Sequence, residues 1–266
     1  MPDPRIREAI TLMNAFAERT GLGSAQSPRR YLWTDAFAVC NYLGLARATG
    51  EESYTGLALQ LVDQVHHTLG RHRDDDPRQG WISGLDEDDG ERHPTRGGLR
   101  IGKALPERGA DEPRDERLEW DRDGQYFHYL TRWMHALDQV TRTTQQARYN
   151  TWARELAGSA FEAFTAPSAP DRGTRRMVWK MSIDLTRVQV PSMGQHDPLD
   201  GYITALQLQT TAAGQSAGPD LDEVIGDYAA MIRRGEWTTP DPLGLGGLLV
   251  DAWRLQQLVQ QGAQPE

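Results

Sequence analysis

The chain has 266 residues with a formal net charge of −9, which leaves no basic footprint for general nucleic-acid binding. No apolar run reaches the roughly 18 residues of a membrane span. The start, Met1-Pro2-Asp3-Pro4-Arg5, lacks the charged-then-apolar pattern of a secretory signal, and the single cysteine, Cys40, permits no disulfide within the chain, so a cytoplasmic protein is expected.

Helical spacing appears eight times. Arg5–Thr20 carries Ile6, Ile10, Met13 and Phe16 at intervals of three and four, an amphipathic stripe. Thr34–Thr49 is apolar nearly all round and rich in small residues, which predicts a buried helix. Glu51–Leu69 is amphipathic again, through Leu57, Leu61 and Val65. From Arg71 to Asp123 helical periodicity is lost. Structureless connections beyond about 12–15 residues are uncommon and usually functional or disordered. This one holds Trp81, Ile82, Leu99, Ile101 and Trp120, too much apolar bulk for a solvated linker.

The pattern resumes at Gly124–Thr141, with Tyr126, Phe127, Leu130, Trp133, Met134 and Leu137 on every side, and returns to amphipathic at Ala147–Phe164. Asp197–Thr211, Leu221–Arg233 and the leucine-rich Asp241–Gln260 complete the set. Short β-hairpins are expected at Leu99–Lys103 and Met177–Leu185, where β-branched and aromatic residues concentrate.

Short turns follow the second, fourth and sixth helices, and long connections follow the first, third and fifth. Short turns make antiparallel neighbours. All long connections therefore emerge at one end, together with the N-termini of the second, fourth, sixth and eighth helices, the more apolar ones. The fold expected is all-α: an α/α toroid of about four antiparallel hairpins over residues 1–266, a single domain with a long insertion at 71–123. A plain helix bundle is the alternative.

Three runs stand at the mouths of the apolar helices: Trp33-Thr34-Asp35, the stretch Glu119-Trp120-Asp121-Arg122-Asp123-Gly124-Gln125-Tyr126, and Gly194-Gln195-His196-Asp197-Pro198-Leu199-Asp200. With alternating inner and outer helices, they resemble the six-hairpin (α/α) toroid superfamily, which includes glycosidases, unsaturated-uronyl hydrolases and sugar epimerases. Eight helices make four hairpins rather than six, a departure from that group. The resemblance implies carbohydrate chemistry on the loop-rich face.

The residues suggest the same place. Glycoside hydrolysis uses two carboxyl groups flanking the scissile bond. Asp121 and Asp123 could supply one, and His196 with Asp197 an acid/base partner, although Asp123 and Asp197 also read as helix N-caps. Glu119, Trp120, Tyr126 and His128 would line the substrate site, with Trp33, Asp35 and Gln195 beside them. Arg100, Lys103, Trp179 and Lys180 would add positive charge and an aromatic face, favouring a sugar or uronate. Only two of the 29 basic residues are lysines, Lys103 and Lys180. Two further readings are a non-catalytic binding or scaffold protein of the same fold, and an epimerase using His128 and His196 as paired bases.

No phosphate-cradling glycine loop is present, so no nucleotide cofactor is expected. His66, His67, His72, His93 and the run Asp74-Asp75-Asp76 match no zinc spacing, and Asp86-Glu87-Asp88-Asp89 is an accidental likeness to the terpene-cyclase acid motif in an acid-rich loop. Self-association into a homo-oligomer would close an incomplete ring.

Overall fold

The structure, a computed structural model, describes residues 3–23, 27–167, 175–191, 196–213, 217–233 and 235–263. Every long segment with helical spacing is a helix. In chain order the helices are α1 (Pro4–Thr20), α2 (Leu32–Thr49), α3 (Glu52–Leu69), α4 (Glu87–Arg92), α5 (Glu116–Asp121), α6 (Phe127–Thr144), α7 (Ala147–Phe164), α8 (Asp197–Thr211), α9 (Asp222–Ile232) and α10 (Pro242–Gln260). Among the described residues five short strands join them: β1 (Gln125–Tyr126), β2 (Thr165–Pro167), β3 (Arg175–Met177), β4 (Lys180–Met181) and β5 (Val188–Val190). The chain is all-α with small β ribbons, and among the described residues no helix is long and apolar enough to cross a membrane.

Local chemistry sets the helix ends. Asp3 accepts from the Arg5 amide with Pro4 in the first turn, and Asp241 accepts from the Gly244 amide at 2.7 Å with Pro242 following it. Gly21 and Gly50 close α1 and α2 in the left-handed conformation.

Where spacing predicts a helix from Gly124, α6 begins at Phe127, because Gln125 and Tyr126 pair antiparallel with Met181 and Lys180. Gly124 makes this switch: its φ is 146°, and a Cβ there would lie 2.7 Å from the Met181 carbonyl oxygen. The expected hairpin at Leu99–Lys103 is absent. That segment is extended and pinned on three sides, with Arg100 N–H donating to Leu69 O, Ile101 N–H to Gly124 O and Leu32 N–H to Ile101 O. The hairpin expected over Met177–Leu185 is displaced along the chain: Lys180 pairs with Val190 and Met181 with Val188, and β1, β4 and β5 form one three-stranded sheet.

Four helices run parallel in a row. Tyr31 and Trp33 meet Tyr129 and His128 at the starts of α2 and α6, and further along Cys40 and His135 line one cavity. Thr131 bonds Asp200 near the starts of α6 and α8, and His135 meets Gln207 two turns on. His196 abuts Gly244 where α8 and α10 begin, and Arg254 reaches Thr204 and Gln207 beyond. The helices between them return in the opposite sense after short turns, so the long connections gather at the N-terminal end of the row.

Burial follows this arrangement for three of the four. Leu32, Ala36, Val39 and Leu43 of α2, Phe127, Leu130, Trp133 and Leu137 of α6, and Tyr202, Ile203 and Leu208 of α8 form the core. Each large side chain fully buried there contributes about 1.5–3 kcal/mol. The fourth departs from expectation. On α10 only Asp251, Arg254 and Leu258 are buried, while Leu243 and Trp253 are 86% and 64% exposed. The cause is position: α8 packs one side of α10, and among the described residues no helix covers the other.

Candidate functional site

The mouth of α6 is built around Asp123. Its carboxylate is fully buried and accepts from the Gly102 and Lys103 amides at 2.9 and 3.3 Å, and from the guanidiniums of Arg100 at 3.0 Å and Arg73 at 3.2 Å. Arg100 also donates to the Thr68 and Arg71 carbonyls, so the clamp ties the long connection to the end of α3. Asp123 is thus a structural anion saturated with donors, and it does not cap α6, because β1 intervenes.

Both lysines of the chain converge on α5. Lys103 donates to the Trp120 carbonyl, and Lys180 to the carbonyls of Glu119 and Arg122, the latter at 2.9 Å. Both ammonium groups lie over the Tyr126 ring, at 5.3 and 5.5 Å from its centroid. The three donors of a compact ammonium reach the clustered carbonyls at this helix C-terminus. Burial pushes Lys180 down to about 8, with Glu119, its carboxylate 3.7 Å away, opposing the shift. Glu119 is itself buried against the Arg108 guanidinium.

Above this base stands a continuous aromatic wall. Trp120, 55% exposed, meets Trp179 edge-on at 4.7 Å between centroids. Trp179 packs on Tyr126 at 5.2 Å and stacks on His128 at 5.8 Å with 16° between planes. His128 leads through Tyr129 to Trp33, at 4.9 and 5.0 Å. Tyr129 and Tyr31 share a hydroxyl hydrogen bond of 2.8 Å. A cavity of about 180 Å³ opens against the wall, lined by Glu119, Trp120, Tyr126 and Trp179 with Arg114 and Glu116 at its side. Four site residues anticipated from sequence therefore share one cavity, and Trp33 and His128 join it through ring contacts.

His128 has a defined role in this wall. Burial pushes its pKa down to about 4, so the ring is neutral. Trp179 Nε1–H donates to its Nδ1 at 3.2 Å, which places the ring proton on Nε2. His128 is a hydrogen-bond donor here, with its basic lone pair already engaged. Asp35 supports the same wall from below: its carboxylate accepts from the Tyr31 amide at 2.8 Å and faces Arg30 at 3.5 Å, and burial pushes it up to about 6.

The other loop builds a separate centre. His196 stacks on Trp237, 6.2 Å between centroids, against the start of α10. Asp197 is buried in the first turn of α8. One turn further, Asp200 accepts from Thr131 and pairs with Arg254 at 2.8 Å and Arg132 at 3.3 Å. Burial would raise its pKa, but the two guanidiniums outweigh that and hold it below the ordinary value. Asp251 shares Arg254 at 3.4 Å, and burial together with Asp200 pushes it up to about 7.

Asp121 and Asp197 line no common cavity among the described residues, and of the four anticipated catalytic groups Asp121 and His196 are the ones not buried. Gln195 lies outside the described residues. Sequence reading missed Tyr31, Tyr129, Arg132, Asp251 and Arg254. Tyr31 and Tyr129 adjoin the motifs at Trp33 and His128, whereas the buried Asp251 and Arg254 lie in a leucine-rich helix with nothing local to mark them. No family model matches the chain, and no curated protein matches it in sequence.

Proposed function

We propose that the protein binds a carbohydrate on the aromatic wall formed by Trp120, Trp179 and Tyr126. The parallel row of α2, α6, α8 and α10 with reversed partners supports reading the fold as four hairpins of an (α/α) toroid, and this wall crosses its loop-rich end. One observation carries the proposal: the exposed face of Trp120, with the half-buried Trp179 beside it and Tyr126 behind, borders a small cavity that also offers Glu116 and Arg114. Sugar rings present apolar C–H faces to aromatics and hydroxyls to charged groups, and that pairing of surfaces is what this cavity provides.

Binding is favoured over hydrolysis by the state of the carboxyl groups. Asp123 and Glu119 are held in ion pairs and Asp197 is buried, so no two carboxyl groups anticipated from sequence flank open space together. The paired-histidine epimerase reading is weakened by Trp179, which occupies the lone pair that His128 would use as a base. Titration calorimetry with neutral monosaccharides and uronates tests the proposal. A saturable heat with at least one sugar, weakened tenfold or more by Trp179→Ala, is expected; no heat with any of them overturns it. Release of reducing sugar that disappears in Asp121→Asn would instead restore a glycosidase.

A further inference from the structure

A second cavity lies on the outer wall, where the long connection passes between α3 and α7. The outer helices α3 and α7 lean on the inner row rather than on each other, and the segment after α4 bridges them. Trp152 Nε1–H donates to Arg92 O at 2.8 Å, and Thr95 donates to Trp152 O at 2.7 Å, fixing that bridge. Beneath it remains a cleft of about 310 Å³, lined among others by Leu59, Val62, His66, Pro94, Tyr149 and Trp152. That size is at the lower bound of small-molecule pockets.

His66 is the polar group at its floor. It is only 2% exposed and sits edge-on to Trp152 at 5.2 Å and to Trp133 at 5.7 Å. Trp133 Nε1–H donates to His66 Nε2 at 3.2 Å, so the neutral ring carries its proton on Nδ1. Among the described residues, no hydrogen bond to a protein acceptor engages Nδ1. Burial pushes His66 down to about 3, which keeps the ring neutral across the physiological range, and the Trp133 bond selects the tautomer. An acceptor arriving in the cleft would take this donor in place of water.

The rim selects among acceptors. Arg148 lies over Tyr149 and Trp152, at 4.8 and 5.7 Å from their centroids, and so takes the place a ligand cation would want. Asp63 and Glu91 flank the opening with His67 between them, at 3.4 and 2.6 Å, so with Arg148 opposite the rim presents no excess charge of either sign and favours a neutral group.

We propose that the α3–α7 cleft is a binding site for a neutral, flat aromatic group bearing a carbonyl, whose oxygen accepts from His66 Nδ1–H while its ring packs against Trp152. This site is independent of the carbohydrate reading.

Benzamide, benzoate and benzylamine serve as probes on the whole chain. Binding is followed by thermal shift and by ¹⁵N resonances of the histidine rings. Benzamide is expected to bind tightest and to move the His66 Nδ1 signal. His66→Phe should weaken it about tenfold, the equivalent of one hydrogen bond. Asp63→Trp, an exposed helix position at the rim, should block the cleft without disturbing the core, so the test stands even if His66→Phe fails to fold. Unmoved His66 resonances at saturating benzamide, or tighter binding of benzylamine, overturn the proposal.

Discussion

α6 and α10 read alike in sequence, each bearing large apolar residues around its whole circumference, yet they end in opposite states. α6 is enclosed by α2, α7 and α8, and Leu130, Trp133 and Leu137 have no exposed surface. α10 touches α8 along one side and turns its two charged residues beyond the cap, Asp251 and Arg254, inward while Leu243, Leu249 and Trp253 face out. Helical periodicity reports which residues are apolar; the neighbours decide which of them are buried. In α10 polar contact, rather than apolar contact, sets the buried stripe.

That contrast is open to attack, beginning with the anchor of α10. Arg254→Met removes the guanidinium shared by Asp200 and Asp251 and leaves two buried carboxyl groups with Arg132 as the nearest cation. Removing one member of a buried ion cluster costs about 3–5 kcal/mol. Hydrogen exchange should show the loss concentrated in α8 and α10, with α2 and α6 protected as before. Uniform loss across all four helices would mean that α10 is as integral to the core as α6.

Leu130→Ala on α6 creates a cavity in an enclosed core and is expected to cost about 2–5 kcal/mol in urea unfolding. The effect here should spread to α2 and α8, which pack directly against α6.

Proton linkage separates the two helices further. Asp251 has its folded pKa raised to about 7 from the ordinary 3.8. The folded state therefore holds a proton that the unfolded chain has released, so the protonated carboxyl favours folding at low pH. This contribution is complete below about pH 4 and is lost as pH rises through about 7. Stability of the wild type relative to Asp251→Asn should fall across that window. His128 and His135, both lowered to about 4, act in the opposite sense: their contribution holds above the ordinary value of 6.5 and is lost as pH falls through about 4. The difference between wild type and Asp251→Asn cancels that background. A pH-independent difference would show that Asp251 stays ionised beside Arg254.

Much of this was readable from residues. The eight long helices, their alternation and the single end that gathers the long connections follow from spacing and turn length alone. So does the clustering of Glu119, Trp120, Tyr126 and Trp179. What spacing could not convey was occupancy. Asp123 reads as an N-cap or a catalytic acid, and only the fold shows Arg73, Arg100 and two amides converging on it. The two lysines stand out in composition, but that both reach backbone carbonyls around one six-residue helix is visible only in the fold. His66 was weighed as part of a metal cluster, and its partner turned out to be the indole of Trp133 on a distant helix.

The smallest expected effect is the sharpest test of the outer face of α10. Trp253→Ser replaces a 64% exposed indole, and surface changes away from special features fall within about 0.5 kcal/mol. An unchanged urea midpoint at every protein concentration is the expected result, since most of the lost side chain faces solvent. A loss above about 1 kcal/mol that grows as the protein is concentrated would reverse this picture, because only a complex forming by mass action makes stability depend on concentration. The apolar face of α10 would then be a contact between copies, and the likeness of α10 to α6 in sequence would reflect a real likeness in burial.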